Sequence, residues 1–214
     1  MFKNRQHAGE ELGEALHRYK NQQALVLGIP RGGVETAYYV AKKLNAELGI
    51  VIARKLGYPG NPEAAFGAVA EDGSIYLSEM ARKYLSEAEM QQVIDAQRKE
   101  ITRRIATMRS EKGQPEMKGR LVILVDDGIA TGATLFASIS MCRRQGAGKL
   151  VVAAPVADRS MEHDLKRLVD DVVILLTPES FSAVSQGYRE FRNLTDEEAL
   201  AFLKKWDQEN THRR

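Results

Sequence analysis

The chain has 214 residues, 43% of them hydrophobic and 28% charged, which suits a compact domain with a genuine core and an appendage or two. Its 31 basic residues against 29 acidic ones leave a net charge of +2, so no global field argues for nucleic acid or an anionic membrane, and any anion site must be local. No run approaches the roughly 18 apolar residues of a membrane span, the polar N-terminus MFKNRQHAGEELGEALHRYK lacks a signal-peptide core, and the lone Cys142 can form no intrachain disulfide, so a cytoplasmic protein is expected.

In chain order, short β-rich runs alternate with helical stretches, the pattern of an α/β fold in which a parallel sheet carries helices on both faces. Strands are predicted at 24–27, 49–53, 121–125, 150–154 and 172–175, with helices at 34–44, 133–145 and 160–168. Runs without alternation, such as LVILV, fit strands covered on both sides. Between the second and third strands, FGAVAEDGSIYL sets Asp72-Gly73 between two β-prone runs, a hairpin signal. Ser86 with Glu89 forms a capping box and opens a helix that places Val93, Ile94, Gln97, Ile101, Ile105 and Met108 on one face before Gly113 and Pro115 stop it. Arg98, Lys99, Arg103, Arg104 and Arg109 on that helix read as a solvated face, interrupted by Asp95 and Glu100, with a nucleic-acid stripe as the alternative. Thr195 with Glu198 opens a last helix to about Trp206. Cys142 reads as a core residue at helical spacing, and His7, His17, His163 and His212 are too scattered to form a base or metal set. A single domain over 1–214 is expected, with a helical insertion at about 76–115 and a C-terminal hood and helix at about 177–206.

The most informative stretch is LVILVDDGIATGATL, residues 121–135. Two adjacent carboxylates, Asp126 and Asp127, end an apolar strand, where they repel each other unless something cationic or hydroxylated meets them. In a parallel α/β sheet, ligands bind beyond the carboxyl ends of strands. Gly128 and Gly132 let the backbone turn its N–H groups inward, the helix from Ala133 adds a positive dipole end, and Thr131 and Thr134 add hydroxyl donors. The loop is a phosphate cradle without the lysine of a nucleoside-triphosphate P-loop, and no GxGxxG follows the first strand. Acids before the cradle suit a diol next to a monophosphate, as in a ribose 5-phosphate.

VILVDDGIATGAT resembles the 5-phosphoribosyl-1-pyrophosphate (PRPP) binding motif of type I phosphoribosyltransferases, with one departure: Gly128 stands where an aliphatic residue is usual. The resemblance implies that Asp126, Asp127, Gly128, Ile129, Ala130, Thr131, Gly132, Ala133 and Thr134 hold the ribose and its 5-phosphate. LGIPRGGVE, after the first strand, read alone is a tight turn before a helix. Beside the first motif it resembles the family's pyrophosphate loop, with Arg31 offering a fork of donors and Gly32 and Gly33 close backbone N–H groups. ARKLGYPGNPEAAFGAVAEDG, residues 53–73, places Arg54 and Lys55 at a strand end before a glycine- and proline-rich loop. The resemblance implies a mobile lid there, with both cations assisting catalysis and Glu63 helping to position ligand or magnesium; a plain surface loop is the alternative.

The reaction so implied is displacement of pyrophosphate from ribose C1 by a nitrogen nucleophile, with Mg²⁺ bridging pyrophosphate and ribose hydroxyls and touching Asp126 and Asp127 directly or through water. Ala130 occupies the position where 6-oxopurine enzymes of this class carry an aspartate, which argues against hypoxanthine or guanine. In TPESFSAVSQGYREF, residues 177–191, Phe181, Tyr188 and Phe191 either stack on a flat acceptor or pack the C-terminal helix. The implied partners are PRPP and a small-molecule nitrogen acceptor, with no membrane or nucleic acid, and a homodimer is compatible with the pattern. Two other classes stay open. A PRPP-binding regulator without turnover is opposed by Arg31, by the two lid cations and by the lack of a DNA-binding segment in this sequence. An RNA-binding regulator would use the basic helix.

Overall fold

The computed structural model describes residues 1–109 and 113–210; residues 110–112 and 211–214, and the side chain of Glu63, lie outside the described set, so the expectations for Glu63 and His212 are not addressed. The chain opens with α1 (Arg5–Ala15), capped by Asn4, whose side chain accepts from His7 N–H at 3.0 Å. It continues through β1 (Leu25–Gly28), α2 (Gly32–Leu44), β2 (Glu47–Ile50), β3 (Ala53–Tyr58), β4 (Asn61–Ala70) and β5 (Ile75–Leu77). A short α3 (Ala81–Tyr84) and the long α4 (Glu87–Arg109) precede β6 (Leu121–Val125), α5 (Ala133–Arg144), β7 (Lys149–Val156), α6 (Arg159–Lys166), β8 (Asp171–Leu176) and α7 (Asp196–Asn210). No described helix is long and apolar enough to cross a membrane.

Five strands pair in the order β2-β1-β6-β7-β8, every pairing parallel. The apolar runs are buried on both faces, as an all-parallel sheet requires. Leu25, Leu27, Val122, Leu124 and Val152 pack beneath α5, while Val26, Ile123, Val125 and Val151 meet Leu12 and Leu16 from the first helical segment and Val40 and Leu44 from α2. The five predicted core strands and the α/β class are thus present. Strand β2 lies earlier than expected, ending at Ile50, because the chain then leaves the sheet for β3.

Two elements differ from the sequence reading. Residues 5–15 form a helix although they read as a polar N-terminus; Ala8, Leu12 and Leu16, spaced by four and fully buried, carry the amphipathic signal. The glycine- and proline-rich part of residues 53–73, expected as a loop after the second strand, instead belongs to an antiparallel ribbon, β3 on β4, extended by β5 into a three-stranded sheet. The glycines and prolines that suggested a loop accommodate irregularities of this ribbon. Register shifts fall at Leu56/Gly57 and Gly57/Tyr58, and Gly60 turns the chain with φ +82°. The Asp72-Gly73 hairpin forms as expected.

Both capping boxes are made: Ser86 N–H to Glu89 at 2.9 Å with the reciprocal bond at 3.3 Å, and Thr195 N–H to Glu198 at 2.9 Å with its reciprocal at 3.2 Å. Helix α4 seals a third core, in which Met90, Ile94, Ile101 and Met108 cover Ile52, Leu56 and Phe66 of the ribbon side. The ribbon is pinned to the main sheet by Arg109, which donates to Glu71 at 2.6 Å and to the Ile50 carbonyl at 2.7 Å, while Glu71 accepts from Ile52 N–H at 2.9 Å. Cys142 is buried, and burial pushes its thiol up to about 12, in keeping with a core residue.

Candidate active site

A cavity of about 600 Å³ opens beyond the carboxyl ends of β1 and β6. Its described lining includes five cationic side chains, Arg5, Arg31, Arg54, Lys55 and Arg104, and two carboxylates, Asp126 and Asp127. A larger groove of about 1120 Å³ lies between the edge of β2, the end of α4 and α7, and none of the predicted site residues lines it.

The acidic pair is asymmetric. Asp127 extends one carboxylate oxygen to Arg5 Nε at 2.7 Å, and the Arg5 guanidinium also donates to the Arg192 carbonyl at 2.8 Å while covering the Phe191 ring at 4.2 Å. Asp126 accepts the backbone N–H of Asp127 at 2.8 Å. Burial, followed by the charge of Asp127, pushes the Asp126 carboxyl well above the ordinary carboxylate range. The turn before α2 closes over this pair: a Cβ at Gly32 would overlap the Asp127 carboxylate, and one at Gly33 would meet the Val125 carbonyl at 2.8 Å and Asp126 Oδ1 at 3.0 Å. Only glycine allows this approach. The Pro30–Arg31 peptide is cis.

Of the loop after β6, Thr134 and the acidic pair line the cavity, while Ala130 and Thr131 are exposed. The N-cap of α5 is Gly132, at φ +68° and with no side-chain cap, so its first-turn N–H groups have no side-chain partner there. Ile129 is not part of a cradle: it is buried, and its N–H donates to the Val156 carbonyl at 2.9 Å while its carbonyl accepts from Asp158 N–H at 3.0 Å. Gly128, the departure from the usual motif, has a packing reason, since a Cβ would overlap Val184 of the C-terminal segment.

Arg54 and Lys55, on β3, line the same cavity. Arg54 Nε donates to Gln97 of α4 at 3.0 Å, and burial, with the neighbouring charge of Arg104, lowers its pKa. Phe181 and Tyr188, expected in the acceptor hood, are placed away from the cavity lining. Tyr188 is 5% exposed, its hydroxyl donates to the Asp127 carbonyl at 2.5 Å, and burial pushes its pKa upward. Phe181 packs into the same cluster with Phe2 and Val156. Neither lines the cavity; Phe191, Val184 and Asn193 do. Arg5, Gln97 and Arg104 were not singled out as site residues in the sequence, because they reach the cavity from helices distant in the chain.

Residues 3–188 match the model of the phosphoribosyl transferase domain. The chain belongs to this family. Two Mycobacterium tuberculosis proteins that carry provisional phosphoribosyl transferase names are each 41% identical over 205 residues, covering 95% of this chain. The chain spans 46% of the length of these curated relatives. The crystal structure of TT1426 from Thermus thermophilus is 41% identical, covers 96% of this chain and 98% of its own, and superposes with a TM-score of 0.80.

Proposed function

We propose that this phosphoribosyltransferase-family chain, as a single domain with an inserted helix, transfers 5-phosphoribose from PRPP to a nitrogen nucleophile with release of pyrophosphate. The observation that carries the reading is the convergence of five cations and an acidic pair in one cavity at the carboxyl end of the sheet. PRPP is a polyanion with a diol between its two charged ends, and a cleft rich in guanidinium groups suits it.

Asp126 accepts from the ribose hydroxyls, with Asp127 held in place by Arg5. The uncapped start of α5, with Thr131 and Thr134, receives the 5-phosphate. Arg31, Arg54 and Lys55 offset the charge that grows on pyrophosphate as the C1–O bond breaks, and the acceptor nitrogen forms the C1–N bond and releases its proton. Positive charge developing on the ring is favoured by the carboxylates beneath it, so catalysis is mainly positioning and electrostatics.

The donor set suits a magnesium ion carried on the substrate. Among the described residues no group of three or more His, Cys, Asp or Glu side chains could hold a metal, and Mg²⁺ ordinarily takes only one or two carboxylates plus phosphate oxygens and water. Asp126 and Asp127 would supply those carboxylates, and the ion would neutralise the leaving group.

Ion pairs along the basic helix count against the RNA-binding alternative. Arg103 forks onto Glu100 at 2.8 Å and reaches Asp196 at 2.9 Å, Arg104 is held by Glu100 at 3.2 Å, Arg98 lies 3.5 Å from Asp95, and Arg109 is buried on Glu71. The test is a pyrophosphate-release screen with PRPP, Mg²⁺ and a panel of purines, pyrimidines and other nitrogen nucleophiles. Release that depends on the nucleophile supports the transferase and names its acceptor. PRPP binding without release from any nucleophile moves the reading to a PRPP-binding regulator.

A further inference from the structure

Helix α4, expected from the sequence as an insertion, brings Val93, Gln97 and Arg104 to the cavity lining. We propose that Arg104 is a further anion-binding residue of this site, donating to the pyrophosphate end of PRPP, and that Gln97 is a positioning residue that aims Arg54 at the same group. This rests on the transferase reading above.

Four observations carry it. Arg104 is 8% exposed, and what its surface meets is the cavity. Its Nε donates to Glu100 at 3.2 Å, but its Nη2 lies 3.5 Å from Asp196 Oδ1, and that oxygen is buried without a hydrogen-bond partner. The Arg104 hydrogen bond is made by Nε, so the terminal nitrogens keep donors for a ligand in the cavity, with Asp196 Oδ1 competing for Nη2. Arg54 is electrostatically opposed by both Arg104 and Arg31. Like charges gathered in a partly buried cleft repel, and a polyanion between them turns that repulsion into attraction. Arg31 and Arg54 are the residues assigned to pyrophosphate above, and Arg54 feels the charges of both Arg31 and Arg104, so Arg104 is grouped with them. Finally, the Gln97 carboxamide accepts from Arg54 Nε at 3.0 Å, which leaves the terminal nitrogens of Arg54 directed by that bond.

The neighbouring Arg103 is an internal control. It bonds the same two carboxylates, Glu100 and Asp196, but its side chain is 54% exposed and it does not line the cavity. A role confined to bracing α4 against α7 predicts similar behaviour for the two arginines. A role in anion binding separates them.

The experiment is calorimetric titration of the full chain with inorganic pyrophosphate and with PRPP, each in Mg²⁺, for wild type, Arg104→Gln, Arg104→Lys and Arg103→Gln, with melting temperatures measured alongside. Arg104→Gln is expected to weaken both ligands by about tenfold or more, the size of one charge-assisted contact. Arg104→Lys, which keeps the charge and protects against unfolding, falls between it and wild type. Arg103→Gln stays within about twofold and shifts the melting temperature little, as removal of an exposed ion pair does. Equal affinities for Arg104→Gln and wild type, or equal losses in the Arg103 and Arg104 variants, overturn the inference and leave the transferase reading standing. A wild-type chain that binds neither ligand overturns both.

Discussion

Part of the cavity lining comes from a continuous piece of chain at the end of β6, with Asp126, Asp127 and Thr134, whereas another part is assembled from the β3–β4 ribbon and α4, brought together over more than forty residues. The first part supplies carboxylates, hydroxyls and backbone N–H groups on a rigid parallel sheet. The second supplies cations on a small antiparallel sheet held to the body of the protein by a buried ion pair, by α4 and by apolar packing on α5. A substrate that needs both a diol acceptor and a pyrophosphate donor meets the two parts at once. On the proposed reading, the continuous part meets the ribose 5-phosphate and the assembled part meets the leaving pyrophosphate.

The largest effect is expected where the assembled part is anchored. Glu71 and Arg109 have side chains only 4% and 6% exposed. Glu71→Ala leaves the Arg109 charge buried without its carboxylate, which costs about 3–5 kcal/mol. Chemical denaturation should show that loss; a loss below about 1 kcal/mol, the range of an exposed pair, would mean that the ribbon is held by its apolar contacts alone.

Next comes the contact between the α2 turn and the acidic pair. Gly32→Ala pushes a methyl group into the Asp127 carboxylate, so the Arg5 pair must open. Overpacking of this kind costs about 1–3 kcal/mol, and PRPP affinity should fall with it. Unchanged affinity in a stably folded Gly32→Ala chain would show that the position of Asp127 is not critical to the ligand.

The smallest effects on stability distinguish the two aspartates. Asp126 has a carboxyl pushed upward by burial and by its neighbour, so its ionised form opposes folding at neutral pH; Asp126→Asn should leave the melting temperature equal to or above that of wild type. Asp127→Asn weakens the partner of a buried arginine and should destabilise by about 1–3 kcal/mol. Thermal melts of the two single variants decide it, and the reverse order would contradict the asymmetry.

The sequence made the continuous part legible and the assembled part obscure, for a physical reason. In VILVDDGIATGAT the strand, acids, turn glycines and helix start are consecutive, so their spacing alone places them at one strand end. Arg5 and Asp127 are 122 positions apart and Arg54 and Gln97 are 43 apart, and no local pattern pairs them. Gly57, Pro59, Gly60 and Pro62 looked like a loop because a bulged ribbon uses the same residues as one. Tyr188 looked like a stacking residue because an aromatic in a loop carries no sign of whether its ring faces a ligand or the core; here its hydroxyl braces the Asp127 backbone. Gly128 could not be explained until Val184 was seen against it.

The most direct test of the account is calorimetric titration of PRPP with Mg²⁺ into wild type and Asp126→Asn, the carboxylate variant expected to keep its fold. The account predicts saturable binding to wild type and a loss of about tenfold or more in Asp126→Asn at an undiminished melting temperature. Wild-type protein that does not bind PRPP, or a folded Asp126→Asn that binds it as well as wild type, would contradict it.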